Sequence, residues 1–196
     1  MTQRGVIRPL LNRLMTALGV FSKMAKEVLR VGRLSLIKSL PDHAEKIADY
    51  LRRPDMRECW ISDLSPMEAL TEPLVIHGAV TYTITFDGVV SGMVGTVPLD
   101  NDTARVWLLG TDNITHNFRP FLRACKPAME LLQANYSVLE NFVPADHHDT
   151  IMWLSWCGFT FDQEMYEIYG HTFMRFERCA VDKNDVIGEL SRPVMH

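Results

Sequence analysis

Glu58 lies in the run Met56-Arg57-Glu58-Cys59-Trp60, where a carboxylate at the rim of a cleft can act as a general base. An ion pair with Arg57 or Arg53 occupies the same carboxylate more simply, and that pairing is the expectation. His147-His148-Asp149 offers a second base or a pair of metal ligands. Adjacent helical residues point about 100° apart and no third ligand accompanies them, so capping of a helix by Asp146 or Asp149 is expected instead. The cysteines, Cys59, Cys125, Cys157 and Cys179, form no C-x-x-C pair, which argues against a zinc site or a disulfide framework; reduced, mostly buried thiols are expected. Trp107, Trp153 and Trp156 read as core and wall residues rather than a substrate cage.

A further site is suggested by Ala104 to Phe121, where the apolar Val106-Trp107-Leu108-Leu109 stops at Gly110 and gives way to Thr111-Asp112-Asn113 and a helical pattern. A strand handing over to a helix leaves free backbone N–H groups beside a sheet, the usual docking point for phosphorylated cofactors. A phosphate cradle wants glycines, since a Cβ keeps the backbone off the anion. After Gly110 the next glycine is Gly158. Asn141, on a following strand, either contacts a cofactor or makes an edge hydrogen bond.

The elements that must position these residues follow from periodicity. A strand over 34–40 leads into a helix opened by Ser39-Leu40-Pro41-Asp42, with Ala44, Ile47, Ala48 and Leu51 inward and Pro54 at its end. Ser65 and Glu68 have capping-box spacing for a short helix. Strands over 80–86 and 89–97 flank the hairpin turn Asp87-Gly88, and a third strand ends at Gly110. A long helix spans 115–135 with a kink at Pro127, followed by a strand over 138–143, a helix over 147–156 closed by Gly158, and a last hairpin about Gly170. No apolar run reaches the roughly 18 residues of a membrane span, and 47% hydrophobic with 22% charged residues is an ordinary soluble balance.

Ahead of this body, residues 1–33 carry seven basic residues against Glu27 alone, a net of +6, while the remainder holds 13 basic and 23 acidic residues, a net of −10. Between Pro9 and Gly32 an amphipathic helix is expected. Leu11, Leu14, Leu18, Phe21, Ala25 and Val28 form its apolar seam, and Arg13, Lys23, Lys26 and Arg30 its basic face. Such an arm fits a protein groove, a membrane surface or nucleic acid, or packs on its own domain. Its Arg-rich, acid-poor composition is also that of an organellar leader, but the arm is expected to be retained.

The order strand, two helices, three meandering strands, helix, strand, helix, two strands resembles the GNAT acetyltransferase fold over residues 34–178. Leu154-Ser155-Trp156-Cys157-Gly158-Phe159 is similar to the Gly-Phe signature of that family. The resemblance implies an α/β (α+β) domain with a mixed, mostly antiparallel sheet flanked by helices, an arm over 1–33 and a tail over 179–196. Members hold acetyl-CoA through an Arg/Gln-x-x-Gly-x-Gly/Ala loop, and many place a tyrosine four residues before the Gly of Gly-Phe to protonate the leaving thiolate. Here the loop is Gly110 to Asn117, without paired glycines, and the tyrosine position is Leu154. An aliphatic side chain has no proton to give.

Trp107-Leu108-Leu109-Gly110-Thr111-Asp112, Asn117-Phe118-Arg119, the Tyr136, Leu139, Asn141, Val143 series and Trp153-Leu154 with Gly158 and Phe161 resemble the small internal virion proteins of T7-like short-tailed bacteriophages, a family with a degenerate GNAT-like domain. That resemblance implies a non-enzymatic structural protein of the virion interior, in the host cytoplasm before assembly, with no cofactor. Its arm would meet other core, portal or ejection proteins, as multiple copies or a homo-oligomer. Two alternatives accompany it: an active acetyl-CoA-dependent N-acetyltransferase using Gly110, Thr111 and Asn141, and a DNA-binding accessory acting through the basic arm.

Overall fold

The computed structural model describes residues 25–180. The chain runs β1 (Glu27–Val31), β2 (Leu34–Lys38), α1 (Pro41–Glu45), a 3-10 turn (Ala48–Tyr50), α2 (Arg53–Ile61), α3 (Pro66–Thr71), a second 3-10 turn (Glu72–Leu74), β3 (Val80–Phe86), β4 (Val89–Pro98) and β5 (Thr103–Gly110). It continues through α4 (Asp112–His116), α5 (Phe118–Gln133), β6 (Val138–Pro144), α6 (His148–Trp156), β7 (Thr160–Ile168) and β8 (His171–Cys179). These strands form one sheet in the order β1-β2-β3-β4-β5-β6-β8-β7. Every neighbouring pair is antiparallel except β5 and β6.

Alternation along the strands feeds two cores. On one face Leu36, Ile84, Val94, Val106, Leu139 and Val143 meet Phe121, Ala124, Cys125, Met129 and Leu132 of α5 and Leu154 of α6. On the other, Met93 and Leu109 meet Ala44, Ile47, Ala48, Leu51, Cys59 and Leu70, so α1 to α3 cover only that side. Beyond β6 the outer strands are tied together by Arg175 of β8, which pairs with Glu140 on β6, Asp162 on β7 and Glu177. Among the described residues no helix is long and apolar enough to cross a membrane.

Local signals read from the sequence recur in the structure. Ser65 Oγ accepts the Glu68 N–H at 3.2 Å while Glu68 Oε2 accepts the Ser65 N–H at 3.0 Å, a complete capping box. Asp87 and Gly88 both take positive φ, 49° and 82°, the conformation a two-residue turn needs to follow the twist of β3 and β4.

Three expectations are corrected. The helix projected through Gly32 is absent over its last residues: Val28 and Arg30 lie in β1, where Arg30 pairs with Ser35, and Lys26 is an exposed residue whose carbonyl accepts the Lys38 N–H at 2.9 Å. A free sheet edge at β2 offers that segment backbone partners, and Val28 and Leu29 pack on the core from it. Pro54 opens a helix rather than closing one, because proline fits the first turn, where its missing N–H costs nothing. The long helix is split at Asn117 (φ −108°, ψ 36°) into α4 and α5, with Pro127 inside α5. Leu11, Leu14, Leu18, Phe21, Arg13 and Lys23 lie outside the described residues.

Candidate active site

The parallel strands β5 and β6 stay together only over Thr103↔Val138, Ala104↔Leu139 and Arg105↔Glu140. Past that point they splay into a V, β5 continuing to Gly110 and β6 to Pro144. Asn141 sits at the vertex: its Nδ2 donates to the Val106 carbonyl at 2.8 Å and its Oδ1 accepts the Phe142 N–H at 2.8 Å. Asn141 thus makes the edge hydrogen bond that was one of the roles weighed for it. Backbone groups alternate along a strand, so Val106, Leu108 and Gly110 turn their N–H and C=O away from β4 toward the opening.

Helix α2 spans the mouth of the V and touches both arms. Arg52 binds Asp55 through Nε at 3.0 Å and Nη2 at 2.8 and 2.9 Å, and Asp55 Oδ2 accepts the Gly110 N–H at 2.7 Å. The Gly110 carbonyl in turn accepts the Arg52 N–H at 2.9 Å, so Gly110 is paired on its open side. Asp55 is buried, and desolvation pushes its carboxyl up to about 6 although Arg52 and the Gly110 amide favour the charged form.

At the other arm, Arg57 Nη1 lies 2.9 Å from Asp146 Oδ2 and 3.2 Å from His147 Nε2. His147 Nδ1 lies 3.4 Å from Glu58 Oε1, an ion-pair approach looser than a formed hydrogen bond, and has no other partner. Glu58 raises the His147 pKa, with partial burial opposing. Arg57 holds the exposed Asp146 carboxyl below its usual range. The neighbouring Cys59 thiol is pushed up to about 11 by burial and is therefore no ready nucleophile.

These contacts revise the readings of both clusters. Glu58 pairs with His147 rather than with Arg57 or Arg53, and Asp146 is engaged by Arg57 instead of capping α6, whose N-cap residue is His147 without a side-chain cap. No group of three metal-binding side chains occurs among the described residues. Leu154 is buried among α5, α6 and the sheet. Trp107 and Trp153 are part-buried walls, but Trp156 is 46% exposed, with Lys126 Nζ 5.3 Å from its ring centroid. Cys59, Cys125 and Cys157 are buried free thiols, and Cys179 is exposed. Asp55 and Arg52 carried only one sequence signal, an opposite-charge pair at i, i+3 straddling a helix-starting proline.

The junction after β5 is filled by the chain itself. A Cβ on Gly110 would lie 2.3 Å from Ile114 Cδ1, and one on Gly92 2.9 Å from the same atom, so the two glycines seat Ile114. Thr111 donates its N–H and hydroxyl to the Ser91 carbonyl at 2.8 and 3.1 Å and caps α4 by accepting the Asn113 N–H at 3.3 Å. The Gly110 and Thr111 N–H groups expected to meet a phosphate are therefore spent within the chain, on Asp55 and Ser91. The edge of β5 at Leu108, beyond the Asn141–Val106 bond, fits an extended arm that can add to it as a strand does.

The chain resembles several solved acetyltransferases in fold. The RimL ribosomal L7/L12 α-N-protein acetyltransferase, in complex with coenzyme A, superposes with a TM-score of 0.58 at 10% identity, covering 79% of this chain and 98% of its own. A Salmonella typhimurium acetyltransferase that modifies the N-terminal serine of the 50S subunit protein L7/L12 gives 0.59 at 11%, covering 80% and 100%. A chimera of the spermidine N-acetyltransferase SpeG from Vibrio cholerae and hSSAT gives 0.54 at 13%, covering 76% and 96%. No protein-family model and no curated protein sequence matches. The expectation of a virion structural protein on a silent domain is corrected by these likenesses, which are to acetyltransferases, and nothing supports a T7-like virion component. The eight-stranded sheet, its splayed parallel pair and the helices flanking it make this the GNAT acetyltransferase fold.

Proposed function

We propose that this chain is an acetyl-CoA-dependent N-acetyltransferase that acts on a primary amine. The observation that carries the reading is the V between β5 and β6, open along one strand edge and faced across its mouth by Glu58 and His147. Leu108 would hold the pantetheine arm through backbone hydrogen bonds, in the manner of an added strand, with Asn141 fixing the vertex at Val106. Bound acetyl-CoA supplies an activated thioester to the cleft.

The chain's own contribution is to the amine. An ammonium group cannot attack a carbonyl until it loses a proton, and a carboxylate within reach takes it. Glu58 is suited to that task, since its side chain is 36% exposed and only Oε1 faces His147. His147 Nδ1, 3.4 Å from Glu58 Oε1, holds that carboxylate toward the mouth of the V, and Glu58 in turn raises the His147 pKa. Leu154 is buried in the core and offers no proton to the departing thiolate.

Calorimetry with acetyl-CoA, followed by an assay of free thiol released with spermidine or an N-terminal serine peptide as acceptor, tests the reading. Micromolar binding with amine-dependent thiol release is expected. No binding at millimolar acetyl-CoA would refute it.

A further inference from the structure

Two thiols that the proposed chemistry does not use meet where α5 packs on α6. Cys125 lies midway along α5, and Cys157 is the C-cap residue of α6. Both are free thiols in the main core, 3% and 4% exposed.

The Cys125 sulfur is held by more than packing. Its S–H donates to the Phe121 carbonyl at 3.2 Å, one helical turn back. The Trp153 indole N–H donates to it at 3.3 Å, and the Cys157 thiol donates to it across the seam between the helices. An apolar core needs no such arrangement, since a buried thiol packs as a small hydrophobe. Two donors on one sulfur favour its thiolate. The Cys157 bond foremost, with that of Trp153, holds the Cys125 thiol below its ordinary pKa against the opposing burial. Giving that bond, together with burial, pushes the Cys157 thiol up. Cys59, equally buried, lacks such side-chain donors, and its thiol is pushed up to about 11 by burial. The pair is thereby divided into a sulfur that attacks and a partner that carries the proton.

From this geometry we infer that Cys125 and Cys157 are a peroxide-sensitive pair, Cys125 attacking first, that closes to a disulfide and ties α5 to α6. The Cys125 thiolate attacks one oxygen of hydrogen peroxide. The O–O bond breaks, leaving a sulfenic acid and a hydroxide that takes up the proton Cys125 released. The Cys157 sulfur then attacks the Cys125 sulfur, the S–O bond breaks, and the hydroxide leaves as water with the Cys157 proton. Two thiols are oxidised to one disulfide, and one peroxide is reduced to two waters. Burial sets the size of the oxidant. Helix ends open most readily, and Cys157 closes the nine-residue α6, so a peroxide reaches the pair where a bulky reagent does not. The bond restrains α6, whose N-cap residue is His147, against α5, and it stands apart from the acetyltransferase reading.

The test is mass spectrometry of the full chain after equimolar hydrogen peroxide, digested after glutamate without reductant. Glu130 and Glu140 lie between the two cysteines, so the digest separates them unless they are linked. Linked peptides holding Cys125 and Cys157, lighter by two hydrogens and parted by dithiothreitol, are expected. In the folded, unoxidised chain a bulky aromatic disulfide reagent should label Cys179 alone, since the other three thiols are buried. An exposed Cys179 can couple two chains, so the digest is repeated on Cys179→Ser, where the link should persist. Cys157→Ser, with folding checked by thermal melting, strands the sulfenic acid, and dimedone should then mark Cys125. Cys125→Ser should leave Cys157 unmarked. The wild-type link needs no variant, so a variant that fails to fold leaves the test intact. No linked peptides, a link through Cys59 or Cys179 instead, or dimedone on Cys157 in Cys125→Ser would overturn the inference.

Discussion

Helix α2 is held at its β5 end by a buried carboxylate whose hydrogen bonds are all short, and at its β6 end by a half-exposed carboxylate facing an imidazole at 3.4 Å. Asp55 has Arg52 and the Gly110 amide as fixed partners and only 7% of its side chain exposed, whereas Glu58 keeps an oxygen for a newcomer. A fully partnered buried charge works as a rivet, since removing either side strands the other. A loosely partnered, accessible one can exchange a proton. The two ends of one short helix are thereby divided between anchoring and chemistry.

The largest expected effect tests the rivet. Asp55→Ala leaves Arg52 and the Gly110 N–H without their acceptor and should cost about 3–5 kcal/mol in urea unfolding. A variant of unchanged stability that has lost turnover would move Asp55 from anchor to catalyst and erase the contrast. Glu58→Gln should instead leave the unfolding midpoint in place while lowering kcat about 100-fold with little change in KM. The same variant should bring the His147 pKa, followed by NMR, down toward 6.5, which a merely structural carboxylate elsewhere would not do.

Gly110→Ala probes the strand that the rivet holds. Its Cβ has no space beside Ile114, which is itself 1% exposed, so a loss of about 1–3 kcal/mol is expected. Shortening the neighbour in Gly110→Ala with Ile114→Ala should cost less than the two single losses added, a coupling measurable in a double-mutant cycle.

The smallest effect is on the pH dependence of stability. Asp55 has a folded pKa raised from 3.8 to about 6, so its contribution is fully present below 3.8 and is lost as pH rises through about 6. His43, buried with Nδ1 2.8 Å from Thr83 Oγ1, has its pKa pushed below 6.5 mainly by burial; its contribution is present above 6.5 and is lost as pH falls through the folded value. The two oppose each other in mildly acid solution. In Asp55→Asn the unfolding free energy should therefore rise more steeply with pH between 4 and 6 than in wild type. An unchanged slope would show that Asp55 is not desolvated as its burial implies.

The sequence by itself determined what depends on neighbours two to four residues apart. The Ser65–Glu68 box, the Asp87-Gly88 turn, the alternating faces of β3 to β5 and the apolar stripe of α5 are all of this kind, because local backbone geometry fixes them. Tertiary structure decided what depends on distant partners. Whether 27–31 became strand or helix turned on a free edge at β2, which the helical spacing could not reveal. Gly110 read as a possible phosphate glycine until Ile114 occupied its space and Asp55, 55 residues away in the chain, took its amide. Arg57 likewise finds Asp146 across 89 residues, and Glu58 finds His147, because α2 bridges strands that diverge from each other. Spacing encodes which side chains share a face; only the folded sheet sets which faces confront one another across the V.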